Sequence, residues 1–191
     1  MKKLFNLFSV AAIAAVVITG CGKDDDVLPT TKATFADSAN TYTAKLVGAQ
    51  NNTAGSYFAS STGLVYKSAD AKANPGIIDI TFAETGSTVA TLQPKLISPE
   101  YRDEEGLTAF DSGTLTYFKA STLNFANVSA AQLAAISGAS LKSIAVAKGA
   151  TYEFINAAGK KGLINVTDYV ANDPTKALGN GSITIDVKVL K

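Results

Sequence analysis

The sequence predicts a mainly β fold: an antiparallel, β-sandwich-like domain that carries one or two short helices. Short stretches rich in Thr, Val, Ile, Tyr and Phe recur along residues 33–191, and Gly, Asn, Asp and Ser separate them. In the last stretch Ile183, Ile185 and Val187 alternate with polar residues, which is the period expected of a strand with one buried face. Many short strands joined by turn residues are typical of a sandwich or a barrel.

The expected strands follow one another at short intervals. They are residues 41–47, 56–59, 63–66, 77–82, 114–118, 143–146, 151–155, 163–167 and 182–190. A capping box of Ser129 and Gln132, with Val128 placed to meet Leu133, predicts a helix over 130–137 that ends at Gly138. A second, shorter helix is expected over 68–73, before Pro75.

Two segments of the chain resemble each other loosely. Residues 55–82 and 149–187 each contain three strand-like stretches that begin at or next to a glycine. An internal repeat of two β units sharing one core is one interpretation. A chance likeness within a glycine-punctuated β chain is the other, and the sequence leaves both open.

The N-terminus carries the features of an export signal. Lys2 and Lys3 precede an apolar run over residues 4–18, which is shorter than the roughly 20 residues of a membrane-spanning helix but suits a signal peptide. The run ends in Thr19, Gly20 and Cys21, and this ending resembles the lipobox of bacterial lipoproteins. We expect residues 1–20 to be a signal peptide and Cys21 to receive diacylglycerol and further acyl chains such as palmitate.

The expected organisation of the rest of the chain follows from that cleavage. Residues 21–32 form a lipidated tether, and residues 33–191 form a single β-rich domain. After Cys21 come Lys23, Asp24, Asp25 and Asp26, which resemble the export tag of surface lipoproteins in Bacteroidota. The resemblance implies an outer-membrane location at the cell surface. The alternative is a charged tether without a sorting role.

Longer runs resemble uncharacterised envelope lipoproteins of Bacteroidota. They are residues 48–58, 65–74, 161–166 and 181–187. The resemblance implies lipidation, an envelope location and a β-rich fold, and it brings no activity or site residues with it. The triplet around Ser38 likewise resembles the O-glycosylation acceptor of exported proteins in that phylum; a polar turn is the alternative interpretation.

The chain lacks the catalytic residues and binding motifs that most enzyme classes use. The chain has no histidine and one cysteine, so a Ser-His-Asp triad, a Cys-His pair and an imidazole metal site are excluded. No phosphate-binding or dinucleotide-binding glycine motif is present. Without Lys2 and Lys3, the 17 basic residues become 15 against 16 acidic ones, which does not favour nucleic-acid binding. We therefore expect no cofactor.

Acidic and aromatic residues are the remaining candidates for a site. A glycoside hydrolase needs only two carboxyl groups, which Glu100, Asp103, Glu104, Glu105, Asp111 and Glu153 could supply. The stretch after Pro99 reads as an exposed polar loop, where Tyr101, Arg102, Asp103, Glu104 and Glu105 form a possible binding patch. A calcium site in this loop is an alternative, although the spacing does not match a calcium-binding loop.

The expected function is therefore a non-enzymatic binding or structural accessory role in the envelope. The membrane is reached through the lipid, and a glycan or another envelope protein is the expected partner. A carboxylate-dependent glycan-processing enzyme and a periplasm-facing structural component are the alternatives.

Overall fold

Residues 34–191, which the computed structural model describes, hold ten β-strands and three short α-helices. The strands form two antiparallel sheets of five strands each, as the sequence predicts for a β-sandwich. The expected signal peptide, Cys21 and the acidic tag at residues 23–26 lie outside the described residues, so they stay predictions.

Sheet A contains the first strand of the chain, one strand from its middle and the last three strands. Its order is β1 (Ala39–Gly48), β10 (Ser182–Leu190), β9 (Lys161–Val170), β8 (Thr151–Ile155) and β6 (Tyr117–Ala120). Sheet B has the order β3 (Leu64–Tyr66), β2 (Tyr57–Ala59), β4 (Ile80–Thr85), β5 (Gln93–Ile97) and β7 (Ser143–Ala145). The helices are α1 (Phe35–Ser38), α2 (Ser68–Ala73) and α3 (Ala130–Ala134).

The main core lies between the two sheets. Strand β10 supplies Ile183, Ile185, Val187 and Val189, all at most 2% exposed, so the predicted alternation is confirmed. Sheet B contributes several fully buried side chains to the same cluster, among them Phe58, Ile80 and Phe82. Each such side chain stabilises the fold by roughly 1.5–3 kcal/mol through apolar burial.

Two smaller clusters lie beside the main core. Around α3, Leu133 and Ile136 pack with Ala39, Val128 and Leu163. Near α2, the cluster contains Tyr57, Ala59, Ala71, Ile78 and Phe110. Apolar residues on both sides of β9 are therefore buried, since Ile164 belongs to the main core whereas Leu163 packs against α3.

Hydrogen bonds also join the two sheets, for example at β6 and at β4. Phe118 of β6 exchanges backbone bonds with Leu141, from which the chain continues into β7. Glu84 of β4 is fully buried and accepts bonds from the Tyr169 hydroxyl (2.7 Å) and the Gly181 amide (2.9 Å). A buried carboxylate is tolerated when donors satisfy it, and here both donors come from the sheet A side.

Several sequence-based expectations need correction. The sequence pattern does not predict strand β5, which contains Pro94. Strand β4 begins at Ile80 and not at Ile77, because Ile77 belongs to the 3-10 turn Pro75–Ile77. The two similar segments are also not equivalent units. Strand β2 lies between β3 and β4, whereas β9 lies between β8 and β10, so the middle strand is the first of three in one segment and the second of three in the other.

Candidate functional site

A cleft of about 750 Å³ lies beside the turn that contains Arg102, and we call it the Arg102 cleft. Its walls are formed by residues 50–57, Lys67, Ser68, Lys72, Arg102 and residues 106–108. This volume falls within the range of about 300–1,000 Å³ that is usual for small-molecule sites. The Arg102 cleft is therefore large enough to hold a small organic ligand.

Amide side chains fix one wall of the cleft to sheet B and to the loop before β10. Gln50 donates from Nε2 to the Glu84 carbonyl (2.8 Å) and accepts from the Glu84 amide (3.1 Å). Asn51 and Asn52 donate to carbonyls in the loop before β10, including Leu178 (2.6 Å). This wall is held in place before any ligand arrives, because its amides already have partners.

Arg102 also lines the cleft, and it lies between two 3-10 turns, Pro99–Tyr101 and Asp103–Glu105. Its Cζ lies 5.1 Å from the centroid of the Tyr57 ring, which in turn packs 4.7 Å from the Phe110 ring. Its Nε donates to the Thr108 carbonyl at 3.3 Å. Burial lowers the pKa of the guanidinium, although arginine still carries its charge at neutral pH.

The expectation of an exposed binding patch over residues 101–105 is wrong for Arg102, which is only 3% exposed. The segment folds back because Arg102 stacks on Tyr57 and its carbonyl accepts from the Leu107 amide (3.0 Å). Asp103 and Glu104 are exposed, as expected. The five residues do not form one surface, since only Arg102 lines the large cleft.

Tyr101 and Glu105 line a separate, shallower cleft beside Lys142. The Lys142 Nζ lies 5.4 Å from the Tyr101 ring, and the Glu105 carboxylate pairs with the Lys95 Nζ at 2.6 Å. Burial acts to raise the pKa of Glu105, but hydrogen bonds, that from Lys95 foremost, hold it below its ordinary value. Glu105 is thus occupied by a structural ion pair.

Of the other acidic candidates, Glu100 and Glu153 are engaged separately, whereas Asp103, Glu104 and Asp111 are exposed. Glu100 accepts from the Ser112 amide and hydroxyl, and Glu153 pairs with Lys119 (2.8 Å) and accepts from the Ser121 hydroxyl (2.9 Å). None of the six acidic candidates is among the described residues that line the Arg102 cleft. Within residues 34–191, no three acidic or other metal-ligating side chains come together in a group that could hold a metal ion.

A second cleft, of about 410 Å³, contains the buried carboxylate of Asp79. Asp79 accepts from the Ser60 amide (2.7 Å), the Ser60 hydroxyl (2.5 Å) and the Asn156 side-chain amide (3.1 Å). Burial raises the pKa of the Asp79 carboxyl. Because its two oxygens already have three donors, Asp79 joins parts of the fold and has little capacity left for a ligand.

Ser38 lies at the end of α1, which is a single helical turn, and it is partly exposed. Asp37 caps that turn by accepting from the Thr34 amide (2.8 Å). Glycosylation of Ser38 stays a prediction. No helix in the described part of the chain has both the length and the apolar character needed to cross a bilayer.

Sequence reasoning missed most of the Arg102 cleft. The run Gln50-Asn51-Asn52 between two glycines marks a loop, but nothing in it indicates which strands it will join. Comparison of the chain with protein-family models, with curated proteins and with solved structures finds no match.

Proposed function

We propose that this chain is a lipoprotein of the bacterial outer membrane, displayed at the cell surface, that binds a ligand without transforming it. The lipobox ending at Cys21 and the acidic tag at residues 23–26 support the location. The Arg102 cleft is the observation that carries the binding role, because it is the largest of the clefts described above and its wall is fixed in advance.

The chemistry of the cleft favours binding over catalysis. The chain has no histidine, and Glu100, Glu105 and Glu153 make separate contacts away from the cleft. A hydrolase acting through two carboxyl groups needs both beside the same bond, about 5–10 Å apart. The Arg102 cleft has no such pair among its described lining residues, so a hydrolytic role is the weaker candidate.

Protease treatment of intact cells tests the proposed location. The native chain is compared with a variant in which Lys23, Asp24, Asp25 and Asp26 are all changed to alanine. We expect the native domain to be degraded and the variant to be protected until the outer membrane is broken. Protection of both forms would contradict surface display and would place the domain in the periplasm.

A substitution that fills the cleft tests the binding role. Thr53→Trp places a large ring at an exposed position of the lining. Thr41→Trp places the same ring at an exposed position of β1, which does not line the cleft. The full chain, purified in non-ionic detergent, is screened against soluble glycans and their acidic derivatives by calorimetric titration. We expect at least one saturable ligand whose binding Thr53→Trp abolishes and Thr41→Trp preserves; equal binding by both variants would exclude the Arg102 cleft as the site.

A further inference from the structure

Arg102 is the only arginine of the chain, and it is buried without an acidic partner among residues 34–191. Four ion pairs form among the described residues, and none of them includes Arg102. Its Nη1 is buried and has no hydrogen-bond partner in residues 34–191, and the 3.3 Å bond from Nε to Thr108 is long. Burying a charge is costly unless it is paired, so this guanidinium is incompletely satisfied by the described residues.

The described lining of the Arg102 cleft also carries positive charge. Lys67 and Lys72 line the same cleft with exposed side chains, and neither forms an ion pair with any described carboxylate. No acidic residue belongs to the described lining. Three cations in a concave, partly desolvated wall produce a positive potential that attracts anions.

We propose that the Arg102 cleft selects a ligand that carries a carboxylate, sulfate or phosphate group, and that this group pairs with Arg102. The inference rests on the binding function proposed above and specifies the chemical class of the ligand. A guanidinium forms strong, charge-assisted hydrogen bonds with such oxyanions, and the Tyr57 ring lies against its face. An anionic ligand would supply the partner that the described residues do not.

The size of the cleft adds a second condition. Its volume of about 750 Å³ is much larger than a bare oxyanion needs, and polar groups line much of it. The charged group therefore belongs to a larger polar molecule, with the charge at Arg102 and the remainder along residues 50–57. Lys67 and Lys72 would attract the same charge at the exposed part of the lining.

Calorimetric titration of the full chain in non-ionic detergent tests the proposal. The probes are glucuronate, glucose 6-sulfate and glucose 6-phosphate, with glucose as the neutral match and chloride keeping the ionic strength constant. We expect at least one acidic probe to bind saturably and at least about tenfold more tightly than glucose. The acidic probe that binds most tightly identifies the preferred anionic group.

Variants assign the effect to the cleft. Arg102→Met keeps an unbranched aliphatic side chain and removes the charged guanidinium that lies over Tyr57, so we expect at least about a tenfold loss of affinity for the acidic probe. The pair Lys67→Gln and Lys72→Gln should weaken binding several-fold and reduce its dependence on salt. The pair Lys45→Gln and Lys148→Gln removes the same charge from residues outside the cleft and should leave affinity unchanged.

Thermal unfolding without ligand checks that Arg102→Met still folds. We expect its midpoint to equal or exceed that of the native chain, because an unpaired buried charge is gone. If Arg102→Met does not fold, the two double lysine variants are compared instead. Equal affinity of these two variants for the acidic probe would overturn the proposal. Glucose binding as tightly as the acidic probes, with no effect of Arg102→Met, would overturn the anionic preference while leaving the binding function intact. If no acidic probe binds, the anionic preference fails, whereas the binding function is judged separately by Thr53→Trp.

Discussion

The buried Asp79 carboxyl couples stability to pH. Burial raises its pKa in the folded state above the value of about 3.9 expected in the unfolded chain. Between these two values the folded protein binds more protons than the unfolded one, so the contribution of Asp79 to the free energy of unfolding falls as pH rises. Its stabilising contribution is complete below the unfolded pKa and is lost as pH rises through the folded pKa.

Asp79→Asn removes this titration, so the native chain should be most stable relative to the variant at the acidic end. Urea unfolding of both chains between about pH 3 and pH 7 measures the difference in free energy of unfolding. We expect the advantage of the native chain to shrink as pH rises and then to level off above the folded pKa. A difference that grows with pH would mean that the folded-state pKa is lowered, and a constant difference would mean that it is unchanged.

Arg102 illustrates which residues the sequence can place and which it cannot. Charged neighbours and Pro99 indicate a polar turn, and Asp103 and Glu104 are exposed as that pattern predicts. Burial of Arg102 depends on Tyr57, which is 45 positions earlier in the chain, and on the fold that brings the two together. Local composition does not indicate such a contact, so the sequence pattern predicts an exposed Arg102 whereas the fold buries it.

Among the elements, α3 has the clearest determinant in the sequence. The Ser129 hydroxyl accepts from the Gln132 amide (3.2 Å), and the Gln132 side chain accepts from the Ser129 amide (2.9 Å), so the predicted capping box is confirmed. The helix ends at Ala134 and is shorter than expected. It packs Leu133 into the cluster beside sheet A, so its cap also fixes the cover over β9.

Loss of this cap should destabilise the whole domain slightly. Ser129→Ala removes the acceptor for the Gln132 amide, and we expect the free energy of unfolding to fall by about 1 kcal/mol. Ser137→Ala, beyond the C-terminal end of the same helix, changes an exposed side chain that makes no hydrogen bond with other described residues and should have little effect. Urea unfolding compares the two, and equal losses would contradict a capping role for Ser129.

Strand β5 shows why one element escaped prediction. Pro94 and Lys95 interrupt the apolar pattern, and proline is usually absent from central strands because it cannot donate to the ladder. Nevertheless, β5 pairs with β4 and β7, and the Pro94 carbonyl still accepts from the Val146 amide (2.9 Å). Pairing on both sides, which no short sequence window reveals, outweighs the local preference.

At the scale of the molecule, strand content was predictable and strand order was not. Alternation in β10 predicts its buried face. Its pairing with β1 and β9 is not predicted in the same way, since β1 and β10 lie more than a hundred positions apart in the chain. The two sheets share one core, with Phe58 and Phe82 from sheet B packed in the same cluster as Phe118 and Phe154 from sheet A. We therefore treat residues 34–191 as one cooperative unit when assigning losses of stability.

Gly162 tests how tightly that unit is packed. It lies in β9 opposite Phe154 and Val189, and an added Cβ would collide with the Phe154 ring and approach the Lys188 carbonyl oxygen to 2.5 Å. Because the carbonyl belongs to a paired strand, it cannot move aside without disturbing sheet A. Gly162→Ala should therefore lower the free energy of unfolding by about 1–3 kcal/mol, in the range of overpacked cores.

At Gly76, an added Cβ meets no described atom within 4 Å, so Gly76→Ala should be neutral or stabilise by up to about 1 kcal/mol. Urea unfolding of the two variants measures the contrast, and equal stability would show that β9 and β10 adjust more easily than their close packing implies.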